Sequence, residues 1–364
     1  MTIRFYLKNI TFWLFSPYIM KKFQDNQLAQ ARTHTDIPAD NAIKALFATL
    51  APAQTYEWLQ WLTTENTEIS IDYQGISSFF IDNSILPIWA NLGKMKKASL
   101  FFQKNKENIL FTLGTYSLPY CYAAKNGVKV LFLSKRLQTD AKKRLEETAN
   151  FLINITSKNI FLENIKSGIS EEFSEDQQNQ QNQQKNNISK GVFLCLKVRL
   201  LHASIRQFVL NKTVWNTAEW GEPINQEDMA GTNLSFSYII LKGLKKMNIP
   251  FTNQEAEDYL HLWNVIGHFL GVEEQFLPDT MKESFWLDKL IAERQFAPSE
   301  EGKILTKALL AVFEESVSGF YNKTAIAQMR FLLGDDIADM VDVPKSTLFS
   351  GILAGVRTKN LFTK

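Results

Sequence analysis

The chain of 364 residues is poor in several residue types, and each scarcity excludes a class of protein. Its 2 cysteines, Cys121 and Cys195, are too few for a disulfide framework, and neither lies at a spacing that would hold zinc. The 16 Gly and 10 Pro are too few for a many-turned β architecture and favour long helices. The net charge is +2, from 40 Lys and Arg against 38 Asp and Glu, so the chain lacks the excess of positive charge that is typical of nucleic-acid-binding proteins. Gly-rich phosphate loops and Gly-x-Ser-x-Gly turns are also missing, so nucleotide binding and serine hydrolysis find no support.

Apolar runs of membrane-spanning length are missing as well. Residues 10–20 form an apolar run, but Pro17 interrupts it, and Lys21 and Lys22 follow where a signal peptide would have small residues. We expect a helix docked on the core here, and contact of residues 1–22 with a membrane surface is the alternative. We therefore expect a cytoplasmic protein. The sequence does not indicate its oligomeric state.

Helical periodicity dominates what the chain does contain. Apolar residues recur at helical spacing in 40–70, 136–158, 191–212, 225–247, 253–270, 281–296, 300–318 and 323–342. Helix-start signals lie at Asn225, Thr252 and Ser299. We predict a loop around residues 114–119, and the strand-like pattern at 128–133 fits a helix equally well. The chain is thus predicted to be all-α, a single large helical domain preceded by an N-terminal helical extension (1–40), with a disordered polar insertion at about 171–190.

One nearly apolar helix, predicted at 191–212, carries Arg199, His202 and Arg206 on a single stripe. Burying two guanidinium groups costs several kcal/mol unless each meets an anion, and the same helix offers no carboxylate. Haem would satisfy these demands, because a neutral imidazole binds iron and arginines can bind propionates. The 27 Phe, 8 Trp and 10 Tyr could wall its pocket. A core histidine whose neighbouring arginines pair with acids from other helices is the alternative that the spacing leaves open.

Three motifs resemble those of the bacterial latex-clearing proteins, a family of rubber oxygenases related to the ER-bound oxygenases of MpaB type. Arg199-Leu-Leu-His202-Ala-Ser-Ile-Arg206 resembles the family's R-x-x-H-x-x-x-R signature. Residues 231–236 (GTNLSF) resemble its G-T-x-x-x-F element, and residues 263–272 (WNVIGHFLGV) resemble its W-x-x-x-G-x-x-x-G-V helix. The likeness covers roughly residues 110–345, and three motifs in the right order are fairly specific.

The resemblance implies a catalytic domain at 41–364 with a globin-like helical core that holds haem b. His202 would be the axial iron ligand, and Arg199 and Arg206 would secure the cofactor. A distal helix would carry Arg144, Glu147 and Thr148 as catalytic residues, with Glu147 in place of the family's lysine. A carboxylate there could act as a base or steer dioxygen. The implied reaction is cleavage by dioxygen of a carbon–carbon double bond in a small apolar, isoprenoid-like substrate, and a non-catalytic protein that binds haem or another apolar ligand is the alternative.

The remaining histidines and acidic groups are interpreted as structural. His261 and His268 lie on one helical face and are predicted to be packed and hydrogen-bonded, and His34 is predicted to be exposed. A di-iron bundle needs two Glu-x-x-His pairs, and Asp258-Tyr-Leu-His261 is the single near match. The aspartates at 335, 336, 339 and 342 are predicted to form a solvated helix face rather than a cation site.

Overall fold

The computed structural model of the chain describes residues 23–64, 74–133, 141–162, 188–316 and 320–345. Across these residues the regular structure is helical, which confirms the predicted all-α fold. The helices are α1 Asp25–Ala31, α2 Ile37–Thr49, α3 Pro52–Leu62, α4 Gln74–Asp82, α5 Leu92–Thr112, α6 Leu118–Tyr122, α7 Val128–Leu133, α8 Ala141–Ile155, α9 Lys190–Lys212, α10 Thr217–Trp220, α11 Gln226–Phe236, α12 Tyr238–Lys246, α13 Asn253–Phe269, α14 Met281–Gln295, α15 Glu300–Ser316, α16 Phe320–Leu333 and α17 Asp335–Met340. The apolar run at 10–20 and most of the polar tract at 171–190 lie outside the described residues.

Side-chain caps start the helices where the sequence signals them. The Thr252 hydroxyl accepts from the Glu255 backbone N–H at 3.1 Å, and the Glu255 carboxylate accepts from the Thr252 N–H at 2.8 Å, which forms a capping box at the start of α13. Asn225 and Ser299 cap α11 and α15 in the same way, by accepting from the backbone N–H groups of Asp228 and Gly302. The three predicted helix starts are confirmed.

The loop predicted around residues 114–119 is wrong. Helix α5 continues through a wider π-helical turn, Leu113–Ser117, directly into α6. Pro119 is tolerated because it lies in the first turn of α6, where a backbone N–H need not be donated within the helix. The strand-like stretch at 128–133 is helical, as α7.

Helix α9 lies at the centre of the fold. It packs against α2, α3, α8 and α13, while α13 packs along the length of α5. Contact on several sides explains why α9 is apolar around most of its circumference. Helix α2 runs without a break across position 40, where the extension was predicted to end, and its contact with α9 ties the N-terminal region to the core.

Replacing Gly267 with alanine is expected to destabilise the contact between α11 and α13. A Cβ atom on Gly267 would lie 2.9 Å from Leu277 Cδ2 and 3.1 Å from Asn233 Cγ, both within the core. Overpacking of this kind costs about 1–3 kcal/mol in the free energy of unfolding, which urea denaturation would measure. Gly75 on α4 is the control, because nothing lies within 4 Å of a Cβ there and Gly75→Ala should be neutral or stabilising. Equal stability of the two variants would show that the helices approach less closely than described.

Candidate functional site

A cavity of about 630 Å³ lies against helices α8 and α9 and extends inward to α6, α11 and α14. Its volume falls within the range of small-molecule and cofactor sites, about 300–1,000 Å³. Helix α9 contributes a mainly apolar wall of Leu194, Val198, Leu201, Ile205 and Phe208, together with Lys197, His202 and Ser204. The structure therefore brings His202 to the same cavity as Arg144, Glu147 and Thr148 of the predicted distal helix.

The Arg199 guanidinium group points away from this cavity and binds Asp36 instead. Its Nε and Nη2 donate to the two carboxylate oxygens of Asp36 at 2.5 and 2.8 Å, and its Nη1 donates to Asn83 Oδ1 at 3.1 Å. The Asp36 side chain is 2% exposed, so this fork-to-fork pair is buried.

Arg206 is held in a similar way. Its Nε donates to Asp40 Oδ1 at 2.7 Å and its Nη1 to the Ile224 carbonyl at 3.2 Å, while Nη2 is buried with no partner among the described residues. Neither Arg199 nor Arg206 lines the cavity. Both arginines are thus paired with aspartates at the start of α2, as in the alternative interpretation. They fix α9 against α2.

His202 lies at the edge of the cavity-facing side of α9. Its Nδ1 is buried without a hydrogen-bond partner among the described residues. The pKa of His202 is lowered to about 4, first because burial disfavours the charged ring and then because Arg206 and Arg144 are nearby, although Asp36 opposes them. The imidazole is therefore neutral at pH 7, which is the form that binds metals.

The free energy of unfolding of the ligand-free protein should decrease as the pH falls from about 6.5 toward 4. The folded-state pKa of His202 is depressed below its ordinary value of 6.5. Between these two pH values the unfolded chain binds the extra proton and the folded chain does not, so acidification favours unfolding. The loss contributed by this group is at most about 3 kcal/mol. Urea denaturation across this pH range would measure it, and His202→Ala should flatten the slope. A slope that is identical in the variant would contradict the assignment.

Helix α8 presents Arg144, Glu147 and Thr148 to the cavity, all partly buried. Arg144 Nη1 donates to Glu147 Oε2 at 2.9 Å, one helical turn away. Thr148 donates its hydroxyl to the Arg144 carbonyl at 2.8 Å. Glu147 is thus neither a fully solvated surface group nor an isolated base, because its charge is balanced by Arg144 within the cavity wall.

Lys197 is a cavity residue that the sequence analysis missed. It is 1% exposed, its Nζ donates to the Thr64 carbonyl at 2.8 Å, and it lies 4.1 Å from the centroid of the Trp61 ring. Burial lowers the pKa of Lys197 to about 7. Besides His202, the basic side chains that line the cavity, among the residues described, are Lys197 and Arg144. A lysine within an otherwise apolar helix was the signal that could have found it.

A family model described as "ER-bound oxygenase mpaB/B'/Rubber oxygenase, catalytic domain" matches residues 123–358, well over half of the chain. The chain belongs to this family. The match begins just before α7 and covers both cavity-lining helices α8 and α9.

This mpaB/rubber oxygenase family member is also similar to one curated protein and to one solved structure. The rubber oxygenase of Streptomyces sp. (strain K30) is 27% identical over 165 residues, which are 45% of this chain and 40% of the relative, so the match spans less than half the length of either protein. The structure of latex clearing protein LCP in its closed state matches with a TM-score of 0.65 and 21% identity, over 87% of this chain and 80% of that one. At that identity the likeness establishes a shared fold.

Of the two histidines of α13, His261 has the packed, hydrogen-bonded role that was predicted for both, and His268 is packed beside it. His261 Nε2 accepts from the Asn91 backbone N–H at 2.8 Å, and His268 Nδ1 lies 3.5 Å from Glu274 Oε1. The Trp89 ring meets both imidazoles edge-on, with centroids 5.9 and 6.0 Å away. His34 is half-exposed, 3.2 Å from Glu273.

The acidic face near the end of the described chain is an ion-pair site. Arg330 Nη2 donates to Asp335 at 2.6 Å and to Asp339 at 2.8 Å. No group of three or more His, Cys, Asp or Glu side chains in the described ranges could hold a metal ion. Nor do these ranges contain a helix with the length and apolarity needed to cross a bilayer.

Proposed function

We propose that this member of the family is a haem-b-dependent oxygenase that cleaves a carbon–carbon double bond of an apolar, isoprenoid-like substrate with dioxygen. The observation that carries the proposal is the placement of a partly buried, neutral imidazole, His202, on the wall of a cavity that the predicted distal residues Arg144, Glu147 and Thr148 also line. Family membership supplies the reaction class.

The residues around the cavity fit haem b. A single proximal histidine can hold a haem iron, and His202 would provide it. The porphyrin would lie against apolar and aromatic side chains, among them Phe151, Phe208 and Phe236. Since Arg199 and Arg206 are engaged by aspartates away from the cavity, the cations suited to the propionates are Lys197 and Arg144.

The chain's own contribution to the reaction is positional and electrostatic. When bound, haem b would supply the iron that activates dioxygen. The two ion pairs of α9 fix the position of His202. The apolar wall of the cavity excludes water and accepts the alkene. Glu147, oriented by Arg144, offers a carboxylate on the cavity wall.

The test of this proposal is product analysis with isotopically labelled dioxygen. The haem-loaded protein should consume dioxygen in the presence of an isoprenoid alkene and release two carbonyl fragments, each with one labelled oxygen atom detected by mass spectrometry. A haem spectrum without oxygen uptake across a panel of such alkenes would instead favour the non-catalytic binder.

Glu147→Gln is expected to lower kcat for oxygen uptake by about a hundredfold, which is the usual effect of losing a proton-transferring group. The amide keeps the shape of the side chain but removes the charge that pairs with Arg144. The haem spectrum should be unchanged, since the axial ligand is untouched. Glu146→Gln is the matched control, because Glu146 is the preceding residue of the same helix and is exposed. If the two variants have equal activity, Glu147 has no part in the reaction.

A further inference from the structure

The inner end of the cavity carries hydrogen-bonding side chains of its own, apart from those of α8 and α9. Four side chains from α6, α11 and α14 line it, and we call them the inner polar cluster: Tyr120, Cys121, Ser235 and Asp288. The Tyr120 hydroxyl donates to Asp288 Oδ1 at 2.7 Å, and Cys121 Sγ lies 2.9 Å from Ser235 Oγ. The cavity thus combines an apolar wall beside His202 with hydrogen-bonding groups at its far end.

Asp288 is the charged member of this cluster. It is 6% exposed, and burial raises its pKa although Lys242, with its Nζ at 3.4 Å, and the Tyr120 hydroxyl both act to lower it. A carboxylate has about four acceptor positions on its two oxygens, and Tyr120 and Lys242 fill one on each oxygen. Acceptor capacity therefore remains on a group that lines the cavity. A buried carboxyl with unused acceptor positions is costly in a purely apolar site.

The neighbouring charges limit what this end of the cavity would bind. Lys242 lies beside Asp288, so a cationic group would be repelled by the ammonium and an anionic group by the carboxylate. A neutral hydrogen-bond donor is repelled by neither charge. The hydroxyl of an alcohol can donate to Asp288 while its hydrocarbon chain lies along the apolar wall toward His202.

We propose that Asp288 accepts a hydrogen bond from the hydroxyl head group of the substrate, so that the substrate class is an isoprenoid alcohol rather than a plain hydrocarbon. This proposal rests on the proposed function for the identity of the apolar chain, but head-group recognition can be measured without turnover. Asp288 is a specificity-determining residue in this scheme. Lys242 holds its carboxyl in place.

The experiment compares a short acyclic isoprenoid alcohol with its methyl ether, which keeps the oxygen and loses the donated proton. Equilibrium dialysis against the full chain as purified gives the Kd of each. We expect the alcohol to bind about tenfold more tightly, as the loss of one hydrogen bond to a charged group predicts. Asp288→Asn should reduce this preference severalfold. Asp258→Asn is the matched control, since Asp258 is also buried, at 2% exposed, and does not line the cavity.

Tyr120→Phe provides a second variant in case Asp288→Asn does not fold. It removes a competing donor from Asp288 and should preserve or strengthen the preference for the alcohol. Equal binding of alcohol and ether to the wild type, an undiminished preference in Asp288→Asn, or loss of the preference in Tyr120→Phe would overturn the proposal. Oxygen uptake with alkenes but no preference for alcohols would leave the proposed oxygenase standing and remove the head-group site. Alcohol-selective binding without any oxygen uptake would support the head-group site and remove the proposed oxygenase.

Discussion

His202→Ala is expected to replace the Soret band of protein-bound haem with the broad band of free haem and to lower the affinity of the protein for haem by more than about a hundredfold. Loss of groups that merely support a metal ligand costs about ten- to a hundredfold, so loss of the ligand itself should exceed that. His202 is the histidine that lines the cavity, and the cavity wall supplies no second imidazole among the described residues. Titration of the purified wild type and variant with haem, followed by visible absorption, measures both quantities.

His261→Ala is the control for this experiment. His261 lies on α13, does not line the cavity and accepts a hydrogen bond from the Asn91 backbone, so its loss should leave the band intact. Exogenous imidazole should restore a Soret band to His202→Ala, because the deletion leaves space where the ring was. A wild type whose spectrum after haem addition stays that of free haem, or a variant that keeps the wild-type band, would remove the basis for haem at this site.

Much of the site could be predicted from local sequence patterns. The apolar helix with three polar residues on one stripe predicted that α9 is central, and it is. Because residues 144–148 resemble a distal helix, α8 was predicted to face the same cavity as His202. In the structure, residues of α8 and His202 line one cavity. These features depend on periodicity within one helix or on a short motif, and both are visible in the order of residues along the chain.

The partners of the two arginines could not be predicted because they come from distant positions. Asp36 and Asp40 precede their partner arginines by 163 and 166 residues and meet them through the packing of α2 against α9. Their spacing of four residues puts them on one face of a helix start, but nothing local tells which helix they face. Asp288 was missed for the same reason, since a cavity wall is assembled from helices that are separated in sequence.

Arg199→Met is expected to lower the free energy of unfolding of the ligand-free protein by about 3–5 kcal/mol. Removal of one member of a buried ion pair leaves the other charge uncompensated, and Asp36 is nearly inaccessible to water. Methionine retains most of the length of the side chain, so the effect reports the charge rather than a cavity. Urea denaturation of wild type and variant without added haem gives the difference. If the guanidinium served only a haem propionate, the ligand-free protein would lose little stability.

Two further variants separate the ion pair from other contributions of Arg199. Asp36→Asn keeps an oxygen that can cap α2 while removing the charge, so Arg199→Met combined with Asp36→Asn should recover most of the lost stability. Lys289→Met, which breaks an exposed pair with Glu293, should cost less than about 1 kcal/mol. If the losses of the two single substitutions simply add in the double variant, the pair is not coupled. In that case the two charges do not hold α9 against α2, and the position of His202 would have to be fixed by apolar packing alone.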